Sequence, residues 1–210
     1  VGTYYSDLAD HLEGHVGSLI IIAPGYDDPP VKTWAKWHLP GDATQQIILP
    51  SPFSIYRMLK SYAPQVILIA APGPLGLIAA LSAKRLGARV ILGLHTDFEA
   101  LSSLYWGRVL GPVTRQIMRA ANALLFQRAD VVVSNSEHMH AIALRKQARK
   151  AVKVGTPLAL KLVETPLAPL RLPPKRVLFV GRLATEKRIE SVIEAAGAHP
   201  AIMFQIAGDG

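Results

Sequence analysis

The chain has 210 residues, half of them hydrophobic, which suits one large domain, or one domain and part of another, and excludes a disordered polymer. It contains no cysteine, which excludes disulfides and thiolate metal sites and fits a reducing compartment. With 23 Lys and Arg against 15 Asp and Glu the net charge is +8, a balance that favours nucleotide phosphates or anionic lipid head groups; nucleic acid ranks last, because the cations are not interleaved with exposed aromatics and no nucleic-acid motif occurs.

The chain begins with Val, and no basic region followed by an apolar signal core appears, so the N-terminus reads as a cut. Tyr4 to Leu12 has apolar residues at helical spacing and is closed by Gly14 and Gly17. Ser18 to Ala23 predicts a buried strand, and Asp27 to Asp42, with Pro29, Pro30, Pro40 and Gly41, predicts a loop. A short strand at Gln46 to Leu49 leads through Pro50-Ser51-Pro52 to a helix over Ser54 to Tyr62. The uncharged stretch Val66 to Ala83 is interrupted by Pro72-Gly73-Pro74. A membrane span needs roughly 20 continuous apolar residues, so this reads as strand, turn and helix: Val66 to Ala70, then Leu75 to Leu86 ending at Gly87.

Val90 to Leu94 is an apolar run that suits a strand buried on both faces, and it opens into His95-Thr96-Asp97-Phe98. Helices are expected over Glu99 to Val109 and Val113 to Gln127, separated by Gly111-Pro112. A strand at Asp130 to Val133, a helix at Glu137 to Gln147 and a short strand at Lys150 to Val154 follow. Leu158 to Pro174, with prolines among leucines, reads as a linker. A second unit then begins: strand Val177 to Val180, helix Lys187 to Ala196 and strand Ile202 to Ala207. Strands alternating with helices predict an α/β class with a doubly wound, parallel, Rossmann-like sheet over residues 1–165. Residues 166–210 are read as a linker and an incomplete second Rossmann-like domain.

In such sheets chemistry gathers beyond the carboxyl ends of the strands, which makes His95 and Asp97 candidate catalytic residues. A histidine there can donate to a sugar hydroxyl or relay a proton; equally, Thr96 or Asp97 can be a helix cap. Gly73 and Pro74 form a turn through which a ligand can approach, or one that merely packs helix on strand; the middle glycine of the dinucleotide fingerprint is missing. Gly181-Arg182-Leu183-Ala184-Thr185-Glu186-Lys187 brackets a strand-to-helix loop with two cations. Arg182 offers a planar fork and Lys187 a point charge, an arrangement suited to a diphosphate and equally to a solvated loop. His11 and His15 lack a zincin glutamate position, and His138 and His140 point apart on a helix, so no metal site is expected. The basic run Arg145, Lys146, Arg149, Lys150 and Lys153 is either a solvated face or a surface for anionic lipid.

Three segments together, PQVILIAAPGPLGLIAALSAKRLGARVILGLHTDFEALSSLY, ADVVVSNSEHM and RVLFVGRLATEKRIESVIEAA...FQIAGDG, resemble the retaining glycosyltransferases of the GT-B type, family 4. The resemblance implies two Rossmann-like domains facing a shared cleft, with the acceptor mainly on the first and the nucleotide-sugar on the second. It implies that Gly181, Arg182, Lys187 and Gly208 bind the nucleotide-sugar and that His95 contacts the donor sugar with Asp97. Gly73, Pro74, Tyr105 and Ser136 would line the acceptor side. The implied chemistry is hexosyl transfer with retention, front-face departure of the diphosphate, no cofactor and no required metal. Donors would be UDP- or GDP-sugars, and a lipid or glycolipid acceptor is favoured. Location would be cytoplasmic, with peripheral attachment at the inner membrane face as an option.

The sequence departs from the family pattern at three places. The first strand and Gly-Gly loop that normally precede Gly2 are absent. Val154 to Glu164 lacks the usual Gly-Val-Asp, and the chain ends before the E-x7-E segment, so by this reading the 210 residues alone are expected to be inactive. Two competing readings stay open at this level: a dinucleotide oxidoreductase with Asp97 as its ribose acid, and a non-catalytic module that binds a nucleotide or a membrane surface. Oligomeric state is not readable from the chain.

Overall fold

Helix α1 (Gly2–Leu12) opens the computed structural model, which describes residues 2–23, 31–39, 42–100, 107–166, 169 and 172–208. The helix ends in a turn whose Gly14 takes a φ of +79°, a conformation that glycine adopts without steric cost. The strand expected over Ser18 to Ala23 is not formed. Leu19 and Ile20 are exposed, and no described strand pairs with this run. Apolar content alone makes no strand without a neighbour to take its hydrogen bonds. The loop expected over Asp27 to Asp42 is likewise corrected: β1 (Thr33–Leu39) pairs antiparallel with β2 (Asp42–Pro50), Ala35 opposite Leu49 and Trp37 opposite Ile47. Thr33, Trp34 and Trp37 are strong strand formers, and the flanking prolines masked them.

Helix α2 (Pro52–Tyr62) starts where Ser51 Oγ accepts from Ser54 N at 3.3 Å, with Pro52 at its first turn, and it stops at Ala63 in the left-handed region. Then comes the sheet that organises this part of the chain: β3 (Val66–Ile69), β4 (Arg89–Leu94), β5 (Val131–Ser134) and β6 (Ala151–Lys153), all parallel and adjacent in that order. Between them run α3 (Pro74–Leu86), α4 (Gly107–Arg128) and α5 (Glu137–Arg145). This is a parallel, Rossmann-like α/β arrangement, as the strand and helix alternation predicts.

Register puts Ile67 beside Val90, Ile69 beside Leu92 and Leu92 beside Val132, so these side chains share one face, where all are buried. Ala80 and Ala83 of α3, both 0% exposed, let that helix lie close upon them, and Leu125 of α4 and Ile142 of α5 complete the cluster. Each fully buried Leu or Ile contributes about 1.5–3 kcal/mol. The opposite face is less covered: Val66 and Leu68 are exposed, and Ile91 is half-buried. The expectation that Val90 to Leu94 is buried on both faces is therefore corrected to full burial on one.

Two helices expected around Gly111-Pro112 are one in the described part, since α4 runs through Pro112. The proline sits in the second turn, where it deletes a single helical bond near the start. Residues 101–106 lie outside the described residues. Within the expected linker a five-residue helix, α6 (Leu160–Glu164), is formed.

Contacts divide the chain into Val1–Glu164 and Thr165–Gly210. The second unit holds β7 (Arg176–Val180) and β8 (Met203–Ala207), parallel, with Val177 opposite Phe204. Helix α7 (Ile189–Ala198) begins later than expected. Thr185–Lys187 is a 3-10 turn, and Arg188 lies at φ 51°, ψ 51°, breaking the helix from that turn. Leu178, Val180 and Ile206 are exposed, as expected for two strands and one helix that cannot cover both faces.

Candidate functional site

Beyond the carboxyl end of β4, Leu94 gives way to His95, and Leu94 is in register with Ser134 at the end of β5. The turn holding Gly73 and Pro74 follows β3, and Ser136 follows β5. Three loops of one sheet edge thus carry His95, the start of α3 and the start of α5.

The His95 imidazole is the best-defined group there. Its Nε2 lies 2.8 Å from the Tyr5 hydroxyl of α1. The ring of Tyr4 packs against it at 4.2 Å between centroids, and that of Tyr5 lies edge-on at 5.5 Å. Burial lowers the imidazole from its ordinary value, so the neutral ring is favoured. Burial also pushes both phenols up, Tyr5 further than Tyr4, so they stay protonated. His95 Nδ1 is buried and has no partner among the described residues. Gly93 admits this arrangement. A Cβ there would stand 2.9 Å from His95 Nε2 and deep inside the Tyr5 hydroxyl.

Asp97 has a structural duty: its Oδ1 accepts from Ala100 N at 3.1 Å, capping the helical turn that starts at Phe98. The cap that the sequence offers for Asp97 is therefore formed. Ser136 likewise caps α5, accepting from Met139 N at 3.3 Å. Gly73 precedes Pro74 at the first turn of α3, and nothing lies within 4 Å of a Cβ built on it. Tight packing belongs instead to Gly76, whose Cβ would meet Ala71 O at 2.6 Å and Ile69 Cγ2 at 2.7 Å. Tyr105 falls outside the described residues.

Glu99 is a residue to which the sequence reading, rejecting it as a glycosidase partner of Asp97, gives no place in the site. Its carboxylate takes Lys146 Nζ at 2.6 Å, Asn122 Nδ2 at 2.9 Å and Arg119 Nε at 3.6 Å. Burial opposes its charge, but the hydrogen bonds from Lys146 and Asn122 and the two cations outweigh that and hold the carboxyl below its usual range. Glu99 thereby ties the loop after β4 to both α4 and α5. Its position two residues after Asp97 was the available signal.

The basic run is partly neutralised. Lys146 meets Glu99, Arg149 lies 4.0 Å from Asp130, and Lys153 bonds Glu137, so three of its five cations face carboxylates. That Lys153 bond also holds the exposed Glu137 carboxyl low. The His11 and His15 rings turn to Leu158 O and Glu13 O, and among the described residues no group of three His, Asp or Glu is placed to hold a metal. No described helix is long and apolar enough to cross a membrane.

In the second unit Gly181 follows β7, its N–H bonding Ala207 O at 3.0 Å. Gly208 presses on Gly181, leaving no room for a side chain at 208. Arg182 is half-buried and Lys187 exposed, both in the loop between β7 and α7. Lys187 N–H is spent on Ala184 O at 2.8 Å, so the helical donors begin after Arg188 rather than at Lys187. An open apolar groove of about 450 Å³ is lined in part by Phe179, Phe204 and Val192 together with Lys187 and Arg188.

The family profile described as Glycosyltransferase Family 4 matches residues 1–154. The chain belongs to Glycosyltransferase Family 4. No curated protein matches it. Membership makes the first unit a glycosyltransferase-type domain, a transferase that takes a glycosyl donor and an acceptor. The matched span contains every sheet-edge residue described above, His95 and Ser136 included, and ends after β6.

Proposed function

We propose that this family 4 domain serves hexosyl transfer from a UDP- or GDP-sugar to an acceptor hydroxyl with retention, in an enzyme of the GT-B type. The single observation that carries the reading is His95: a neutral, half-buried imidazole at the carboxyl end of a parallel strand, held by a tyrosine and left with one unpaired nitrogen. Such a nitrogen suits a sugar hydroxyl better than a phosphate, which would favour a cationic ring.

In this proposal residues 166–210 begin the nucleotide-sugar domain, and Arg182 and Lys187 stabilise the diphosphate as it departs from the front face of the sugar. Stabilising that developing charge is the chief catalytic effect, and no carboxylate need attack. Asp97 supports His95 from the capped turn. Gly181 and Gly208 keep the approach to the diphosphate free of side chains, while Gly73, Pro74, Tyr105 and Ser136 serve the acceptor side. The net charge of +8 favours a lipid-borne acceptor, and the paired cations of the basic run narrow that preference.

The test is binding and transfer. In the complete enzyme His95→Ala lowers transfer of labelled hexose by about 10²-fold, the scale of a lost proton-handling or donor group. Arg182→Ala and Lys187→Ala each weaken nucleoside diphosphate binding by about tenfold or more and leave nucleoside binding nearly unchanged, since each removes one charge-assisted bond. Equal loss for both ligands removes the diphosphate assignment.

A further inference from the structure

Among the described residues only two buried side-chain polar atoms lack a partner, and one is His95 Nδ1. The other His95 nitrogen is taken by Tyr5, 90 positions earlier in the chain. Whether Tyr5 donates or accepts decides what His95 can offer.

The phenolic hydrogen has no acceptor among the described residues besides Nε2. If Tyr5 O–H donates to Nε2, the neutral ring carries its hydrogen on Nδ1, and Nδ1–H is the one unsatisfied group of the pair. If Nε2–H donates to the phenolic oxygen, both the phenolic hydrogen and the Nδ1 lone pair are left unmet. Unmet buried groups are costly, so the first arrangement wins. Gly93 enforces the contact from below, because only a residue without Cβ leaves the Tyr5 hydroxyl its place. The ring of Tyr4 lies tilted against the imidazole, 4.2 Å between centroids, and restrains its rotation.

We propose that Tyr5 is a positioning residue for His95, donating to Nε2 so that the imidazole is held as its Nδ1–H tautomer and meets an oxygen of the glycosyl donor through that hydrogen. The inference rests on the glycosyl-transfer reading for its purpose, but its geometry stands apart from it. The tyrosine touches no substrate itself; it sets which ring nitrogen donates.

Two-bond proton–nitrogen correlation spectra of the ¹⁵N-labelled protein distinguish a ring nitrogen that carries hydrogen from one that does not. In the wild type His95 Nδ1 is expected to carry it. In Tyr5→Phe the hydrogen shifts toward Nε2, and kcat for hexose transfer by the complete enzyme falls by about tenfold with KM little changed. Hydrogen on Nε2 in the wild type, or spectra unchanged in Tyr5→Phe, overturns the proposal. The wild-type spectrum decides even if the variant does not fold. Undiminished transfer by His95→Ala, alongside the expected tautomer, instead sinks the transfer role of His95, and the positioning role falls with it.

Discussion

Gly93→Ala tests the packing at the sheet edge most directly. A methyl at this position overlaps the Tyr5 hydroxyl and sits 2.9 Å from His95 Nε2, so the Tyr5 side chain must swing away. The loss is one hydrogen bond, about 0.5–1.5 kcal/mol net, plus an edge-on ring contact of similar size. Alanine in a strand recovers roughly 0.5–1 kcal/mol relative to glycine. At the middle of these ranges the balance is a destabilisation of about 1 kcal/mol, which for a chain of this size lowers Tm by roughly 2–4 °C. Calorimetry and urea unfolding measure it, and Tyr5→Ala supplies the second arm of a double-mutant cycle. With Tyr5 truncated the clash is gone apart from His95, so Gly93→Ala costs at least about 1 kcal/mol less there. A Gly93→Ala protein as stable as the wild type, or an equal cost in both backgrounds, refutes the reasoning.

Further expectations concern other parts of the molecule. Glu99→Gln removes the charge that Lys146 and Arg119 meet, and urea unfolding at pH 7 should show a loss of about 1–3 kcal/mol, shrinking as pH falls through the lowered Glu99 value and the wild-type carboxylate itself is protonated. Arg188→Gly relieves a left-handed residue between the 3-10 turn and α7 and should raise stability by about 0.5–1 kcal/mol, read as a higher urea midpoint. For His95 the unfolded chain takes its proton near 6.5 and the folded one only at lower pH, so its contribution is complete above 6.5 and is lost as pH falls toward the folded value. His95→Gln should flatten the slope of stability just below about pH 6.5; an unchanged slope contradicts the assignment.

What the linear chain discloses follows range. Strands β3, β4 and β5 are legible because each is an apolar run with punctuation at both ends, and the position of His95 follows from where β4 stops. The same logic misfires at Ser18 to Ala23, where an equally apolar run finds no partner strand, and at Thr33–Leu39, where prolines on both sides conceal a paired ribbon. Proline near a helix start is another case: Pro112 resembles a break and is absorbed in the second turn of α4. At the site, Tyr5 escapes sequence reading because its meaning comes from a contact 90 residues away, and no periodicity reports such a pair. Glu99 escapes similarly, its partners standing 23 and 47 positions on. Lys146 is counted in a basic patch, whereas in the fold it belongs to that carboxylate.

Val66 and Leu68 bear on how this protein must be handled. They stand on β3, one of the two outer strands of the four-stranded parallel sheet, which reads Val-Ile-Leu-Ile without a charge and has described neighbours on one flank only. A rim of that kind is a template for a foreign strand in concentrated solution, and natural sheets blunt such rims with lysine or proline. Here neither residue is present on the rim, so a lysine in place of Val66 supplies the missing gatekeeper without touching Ile67 and Ile69 beneath.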